Sequence, residues 1–320
     1  MYVGIDVGGT NIACGIVDAS GKILHRESIK TESEKGYSVL VKNIAQLVKH
    51  TLKKAGVLES DVLRIGVGCP GCCNKENGIV ELCINLNWRN VPLVKDLSEL
   101  TGITNITIEN DANAAAYGEF VAGAAKGSNS AVVITLGTGV GSGIIIDKKL
   151  LHGMNFAGGE IGHMVLEVSA DEQGDDICGC GRYGCFESFS SATALVKMTT
   201  IAMENDPSSE MHRLAGEYGK ISARTAWQAQ RLGDKAGSEV VEKYIKYLAA
   251  GITNVINIFQ PDIVCIGGGV CNEGDPLLLP LREAVAKQVY SRDNASNKNT
   301  QIAICKLGNE AGIIGAALCQ

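Results

Sequence analysis

A glycine-tipped strand pair that occurs twice constrains this chain more than any other feature. Tyr2-Val3-Gly4-Ile5-Asp6 reads as a buried strand, Val7-Gly8-Gly9-Thr10 as a turn, and residues 12–17 as a returning strand that ends in the turn Asp18-Ala19-Ser20-Gly21. The pattern returns in Ala131-Val132-Val133-Ile134-Thr135-Leu136-Gly137-Thr138-Gly139 followed by Gly143-Ile144-Ile145-Ile146-Asp147, which aligns Asp6 with Thr135, Gly8 with Gly137 and Asp18 with Asp147. A second echo follows each hairpin in the same order. An amphipathic helix over 39–54, with Val41, Ile44, Ala45, Val48 and Leu52 on one face and Gly56 as its stop, precedes Leu63-Arg64-Ile65-Gly66-Val67-Gly68. A helix over 239–259, with Val241, Tyr244, Ile245, Leu248, Ile252, Val255 and Ile256 inward and Pro261 closing it, precedes Ile263-Val264-Cys265-Ile266-Gly267-Gly268-Gly269. Strands and glycine turns recur in any α/β protein, so one echo means little; two in the same order indicate duplicated α/β lobes, with the glycine tips of both lining a cleft between them.

Composition agrees with two lobes, because 320 residues exceed what most single cores enclose, and 39 glycines suit many tight strand-to-helix turns. Lys and Arg are dispersed and the net charge is −6, so no basic stripe invites nucleic acid. The longest apolar stretches, such as Ile144-Ile145-Ile146 or Ile313-Ile314-Gly315-Ala316-Ala317-Leu318, fall well short of a bilayer span. With no signal-like start, a cytoplasmic chain without membrane partners is expected. Twelve cysteines in such a chain suggest reduced thiols and a metal rather than a disulfide framework.

The glycine tips have the properties of phosphate loops. Gly8, Gly9, Gly137 and Gly139 leave backbone N–H groups without a Cβ to hold a phosphate away, and Thr10 and Thr138 add hydroxyl donors. Neither tip matches a Walker A loop or a dinucleotide fingerprint, and each read alone is a hairpin turn. Asp6, at the end of an apolar strand, needs a strong partner: either Mg²⁺ through water or the turn it caps.

Asn105-Ile106-Thr107-Ile108-Glu109 reads as a strand, and Asn110-Asp111 lead into the small-residue helix 112–120. A carboxylate at the carboxyl end of a strand reaches the ligand crevice of an open α/β fold, where Asp111 can accept a hydroxyl proton as a phosphoryl group transfers. In isolation, the same Asp is an ordinary helix N-cap.

Cys178, Cys180 and Cys185 lie on a glycine-rich turn, with His163 fifteen positions before the first of them in Gly159-Glu160-Ile161-Gly162-His163. Three Cys and one His make a closed, structural zinc set. Cys69, Cys72, Cys73 and Cys83 lack such a turn and a His, and read as packed thiols. Glu160 and Glu187 flank the metal loop, which would hold their carboxylates for sugar hydroxyls; the plainer reading of each is a solvated surface Glu.

Together, Asp6-Val7-Gly8-Gly9-Thr10, Glu109-Asn110-Asp111-Ala112-Asn113, Leu136-Gly137-Thr138-Gly139-Val140-Gly141, Gly159-Glu160-Ile161-Gly162-His163 and the 178–187 loop resemble the repressor/open-reading-frame/kinase (ROK) family of sugar kinases, from residue 4 to the C-terminus. The resemblance implies an actin/hexokinase-like fold of two duplicated ribonuclease-H-like lobes with an interlobe active-site cleft. A small lobe would span 1–111 plus about 305–320, with the helix near 310–318 packing back on it. A large lobe would span 112–304 and carry a zinc-binding loop over 163–187.

The same resemblance implies ATP-dependent phosphorylation of a hexose, glucose to glucose 6-phosphate first, with Asp111 as the catalytic base. Asn110, Glu160, His163 and Glu187 would contact the sugar, with Gly71 and Asn85 near the sugar pocket. Asp6, Gly8, Gly9, Thr10, Gly137, Thr138 and Gly139 would face ATP·Mg²⁺, Gly268 and Gly269 its adenosine, and His163, Cys178, Cys180 and Cys185 would bind structural Zn²⁺. His163 can do both because its ring nitrogens are distinct. N-acetylmannosamine, N-acetylglucosamine, fructose, mannose or allose are the alternative substrates, and a non-catalytic sugar sensor is the alternative of another class. A homodimer is expected by analogy with relatives. An acidic insert over 171–176 lengthens the interval between His163 and Cys178 beside the sugar. The DNA-binding helix-turn-helix of repressor relatives is not expected, because the phosphate hairpin starts at residue 2.

Overall fold

Alternating buried apolar positions and glycine turns build the first sheet directly. In the computed structural model, which describes residues 1–168 and 177–319, β1 (Tyr2–Val7), β2 (Asn11–Val17) and β3 (Ile23–Lys30) form an antiparallel meander. The acidic insert 171–176 lies outside the described residues. After α1 (Tyr37–Ala55), β4 (Arg64–Cys69) joins β1 in parallel. A small antiparallel sheet of β5 (Cys72–Asn74), β6 (Ile79–Cys83) and β7 (Trp88–Val91) follows, then α2 (Leu93–Thr101). The strand β8 (Ile106–Asn110) pairs in parallel with β4 and completes the order β3-β2-β1-β4-β8.

After α3 (Asp111–Ala122), the chain enters a second five-stranded sheet of β9 (Ala131–Leu136), β10 (Val140–Ile146), β11 (Lys149–Leu150), β12 (Ile263–Gly267) and β13 (Gln301–Ile304). Its order, β11-β10-β9-β12-β13, repeats the first sheet strand for strand, with an antiparallel β10–β11 pair and a parallel β12–β13 pair in the corresponding places. The duplication expected from the two echoes is therefore a duplication of topology. Between β11 and β13 lie the helices α4 (Phe186–Ser190), α5 (Ala192–Asn205), α6 (Glu210–Glu217), α7 (Thr225–Arg231), α8 (Lys235–Phe259) and α9 (Asp275–Gln288). The chain ends in α10 (Ala311–Leu318).

Contacts divide the chain into two compact units: Met1–Val133 with Gly143–Gly159 and Cys305–Gln320, and Ile134–Ser142 with Glu160–Ile304. In the first, α1 buries Leu40, Val41, Ile44, Leu47, Val48 and Leu52 in the core that also holds Val3, Ile5, Ile65 and Val67. Each such side chain contributes about 1.5–3 kcal/mol by leaving water. The stop at Gly56 is a left-handed cap (φ 67°) whose N–H returns to the Leu52 and Lys53 carbonyls. The terminal helix α10 joins this unit, packing on β1, β4 and α3. In the second unit, α8 buries Val241, Tyr244, Leu248, Ile252 and Val255 along one face, and Tyr244 Oη donates to the Ser190 carbonyl at 2.7 Å. Among the described residues no helix is long and apolar enough to cross a membrane.

Candidate active site

The first hairpin tip is braced from β3's end. Gly8 N–H donates to the Asn11 carbonyl at 3.0 Å, Thr31 N–H to the Thr10 carbonyl at 3.0 Å, and the buried Thr31 hydroxyl to the Gly8 carbonyl at 2.6 Å. With these carbonyls engaged on the inner side, Gly9 and Thr10 are exposed, and a Cβ added to Gly9 would meet nothing within 4 Å. This is a rigid tip with an open outer face, which an anion can approach closely.

Asp6 lies one residue before the end of β1, against the start of α10: a Cβ on Gly312 would sit 2.8 Å from the Asp6 carboxyl. Burial, and after it the charge of Asp111, pushes the Asp6 carboxyl up to about 6. Two carboxylates brought within reach of each other in a partly desolvated site invite a proton or a cation between them.

At the junction of β8 and α3 the helix cap is not Asp111. The cap of α3 is Asn110, whose Oδ1 accepts the N–H groups of Ala112 (2.9 Å) and Asn113 (3.1 Å); Asp111 is the first helical residue. With capping done by its neighbour, Asp111 Oδ1 accepts the Ala112 N–H at 2.9 Å. Burial raises its pKa against the lowering effect of the nearby backbone N–H groups and the Asn110 side chain. Asn110 Nδ2 donates to the Gly71 carbonyl at 3.1 Å, which brings those two predicted sugar residues together. Gly71 has φ 93°, and a Cβ there would lie 2.0 Å from the Leu82 carbonyl oxygen, so only glycine fits. Asn85 is exposed in the turn between β6 and β7. Of the four cysteines read as packed thiols, Cys69, Cys73 and Cys83 are buried and Cys72 is half-buried, and Cys73 Sγ donates to the Cys69 carbonyl at 3.5 Å.

Sequence reasoning passed over the polar group behind the junction. Glu109, only 6% exposed, accepts the Asn110 N–H (2.9 Å) and Asn113 Nδ2 (3.0 Å) at Oε1, while Oε2 pairs with His152 Nε2 at 2.7 Å. Burial pushes the Glu109 carboxyl upward, but His152, Asn113 and the Asn110 N–H together hold it below its ordinary range. An apolar-to-acidic switch at the end of a strand that buries Ile106 and Ile108 was the available signal for Glu109. Nothing in Leu151-His152-Gly153 marked its partner.

In the second unit, Thr138 is exposed at its hairpin tip, closed by Gly137 N–H donating to the Gly139 carbonyl at 3.0 Å. Glu187, in the first turn of α4, reaches this tip. Its Oε2 accepts the Val140 N–H at 2.9 Å, and a Cβ on Gly139 would lie 2.0 Å from the same oxygen. The Cys178 thiol donates to Oε1 at 3.5 Å. Glu187 is thus engaged within its own unit rather than simply solvated. Gly268 (φ 97°) brings the end of β12 against β9, where a Cβ would fall 2.2 Å from the Leu136 oxygen; Gly269 beside it is open.

The predicted metal set is brought together. His163, Cys178, Cys180 and Cys185 offer ligand atoms that all lie within 4.8 Å of one another, a separation suited to four donors around one tetrahedral ion. His163 Nδ1 is 3.4 Å from Cys178 Sγ, whereas Nε2 faces Glu160 at 3.9 Å, so the two ring nitrogens have different neighbours. Cys180 and Cys185 Sγ are 3.6 Å apart. Burial pushes the Cys178 thiol up to about 12 and raises Cys185, whereas Cys180, against its desolvation, is lowered by hydrogen bonds from the Arg182 N–H and the neighbouring thiols, so an ion that binds all three as thiolates must drive the deprotonation of the first two.

The family model described as "ROK family" matches residues 2–320. The chain is 35% identical over 316 residues to a glucokinase of Thermotoga maritima, covering 98% of this chain and 95% of that one. It is 34% identical over 314 residues to a glucokinase of Halalkalibacterium halodurans, covering 98% and 93%. Among solved structures, a ROK family glucokinase from Streptomyces griseus in complex with glucose and AMPPNP superposes with a TM-score of 0.79 at 32% identity, over 99% of this chain and 97% of that one.

Proposed function

Because the chain belongs to the ROK family and has its actin/hexokinase-like fold, we propose that it transfers the γ-phosphate of ATP to glucose, with Asp111 as the base that takes the hydroxyl proton. The observation that carries the proposal is the state of Asp111: half-buried, just past the carboxyl end of β8, relieved of capping by Asn110, and raised in pKa by desolvation. A carboxylate so placed accepts a proton from the attacking hydroxyl as the phosphoryl group leaves ADP.

Asn110 and Gly71 orient the sugar beside that base, with Asn85, Glu160, His163 and Glu187 as further sugar contacts. The open tip of Gly8, Gly9 and Thr10 and that of Gly137, Thr138 and Gly139 cradle the phosphates through backbone N–H and hydroxyl groups, and Gly268 and Gly269 face the adenosine. Asp6 holds Mg²⁺ through water, a role that suits a carboxylate whose neighbour is a second carboxylate. Bound with ATP, Mg²⁺ neutralises charge on the phosphate oxygens. Zn²⁺ on His163, Cys178, Cys180 and Cys185 is structural: four protein donors complete its coordination, and it fixes the loop bearing Glu160 and Glu187. A cytoplasmic homodimer belongs to the same proposal.

The test is ADP release in a coupled assay over a panel of glucose, mannose, fructose, allose, N-acetylglucosamine and N-acetylmannosamine, with glucose expected to give the highest kcat/KM. Asp111→Asn is expected to lower kcat by about 10²–10⁴-fold. No turnover on any sugar would defeat the kinase reading, and an unaffected Asp111→Asn enzyme would defeat the base.

A further inference from the structure

We infer that His152 and Glu109 are positioning residues that hold Asp111 in its reactive geometry. This rests on Asp111 being the base. A carboxylate buried at the end of a strand is several kcal/mol worse than an Ile or Val unless it is fully partnered. Glu109 is partnered on every side: Asn110 N–H and Asn113 Nδ2 on Oε1, His152 Nε2 and the Cys319 thiol (3.8 Å) on Oε2. Burial keeps that thiol protonated, pushing it up to about 12, so it serves as a donor.

The choice of partners gives the pair its purpose. Oε1 grips the backbone immediately before Asp111 and the side chain two residues after it, so one oxygen clamps both flanks of the base. His152 then fixes Oε2, and with it the plane of the carboxylate. The backbone that carries the imidazole is itself anchored, because the His152 carbonyl accepts the Gly158 N–H at 2.7 Å and Leu151 N–H donates to the Ile144 carbonyl at 2.8 Å. His152 comes from a loop 43 positions away in sequence, all within the first unit, so the clamp ties the β8–α3 junction to a separate segment. The pair acts by geometry rather than charge: burial and local N–H groups account for the shift of Asp111, and Glu109 is not among its causes.

The experiment compares His152→Leu, His152→Gln and Glu109→Gln with Asp111→Asn, measuring kcat and KM for glucose and ATP, the pH dependence of kcat/KM, and thermal unfolding. A base displaced by about 1 Å loses on the order of 10²-fold, so His152→Leu is expected to lower kcat by about 10–100-fold. KM for both substrates should stay within about twofold, and the acid limb of kcat/KM should stay where it is in the wild type, since the base remains. His152→Gln, whose amide N–H can still reach Glu109, should recover most of the rate. If His152→Leu does not fold, the contrast between His152→Gln and Glu109→Gln carries the test: the first keeps the donor to Oε2, the second loses an acceptor and should be slower. Unchanged kcat per folded molecule, a loss confined to KM, or a loss that His152→Gln does not relieve would each overturn the inference. An active Asp111→Asn enzyme would sink the base itself, whereas an inactive one beside a fully active His152→Leu would sink only the clamp.

Discussion

Gly315→Ala places a methyl group where backbone already is. A Cβ on Gly315 would lie 1.6 Å from the Ala114 carbonyl oxygen of α3, and real Cβ atoms essentially never approach closer than 3.0 Å, so the two helices must separate by about 1.4 Å. No rotamer relieves this, because the obstacle is a carbonyl. The rest of the interface is equally tight: Cβ atoms on Gly4, Gly66 and Gly118 would lie 1.9, 1.7 and 2.2 Å from the oxygens of Ile313, Ala316 and Ala311. Separation therefore loosens Ile313, Ile314 and Ala317, which are fully or almost fully buried. Overpacking of this kind costs about 1–3 kcal/mol and more when backbone must move, while Ala gains about 1 kcal/mol of helix propensity. Taken at the upper end of that cost because backbone must move, the net is a loss of about 2 kcal/mol, or an apparent Tm lower by about 4–8 °C. Gly216→Ala is the matched control: it sits in α6 with nothing within 4 Å of the added Cβ, and should gain about 0.5–1 kcal/mol. Thermal unfolding followed by circular dichroism at one scan rate reads both. If Gly315→Ala melts with the wild type, the close approach of α10 to α3 is wrong.

Two further outcomes follow from the site. The folded state raises Asp6 from its ordinary 3.8 to about 6, so the folded chain binds the extra proton and its stability falls as pH rises between those values. Asp6→Asn should therefore be the more stable protein at pH 7, by up to about 3 kcal/mol, with the difference shrinking toward pH 4 while activity is lost; a stability gap independent of pH would contradict the shift. For the thiol cluster, metal analysis of the wild type should find about one zinc per chain, with Cys180→Ser losing most of it and melting lower. Active wild-type protein free of zinc would reduce the cluster to packed thiols.

Much of the fold was legible because its signals are local. The strands around Gly8 and Gly137 announce themselves by apolar runs broken at glycine, and α1 by its period and its Gly56 stop. The thiol cluster was legible for the same reason, since three of its four ligands share one turn. Reading Asp111 was harder. Sequence placed it at a strand-to-helix junction but could not tell cap from base, because Asn110 and Asp111 are both good caps; only the backbone showed that Asn110 takes the N–H groups of Ala112 and Asn113. Glu187 likewise read as either a surface or a site residue, and its bond to the Val140 N–H spans 47 positions. The small sheet of β5 to β7 escaped because its strands are short and carry no clear alternation.

The sequence by itself determined the repeated hairpin, helix and glycine-ended strand, since each follows from periodicity and backbone freedom along a short stretch. Tertiary structure alone decided which distant groups meet: His152 with Glu109, and α10 against Gly4, Gly66 and Gly118. Periodicity tells which face of an element is buried, but not what is buried against it. A buried carboxylate and a bare glycine gain their meaning from the donor or the carbonyl that the fold brings to them.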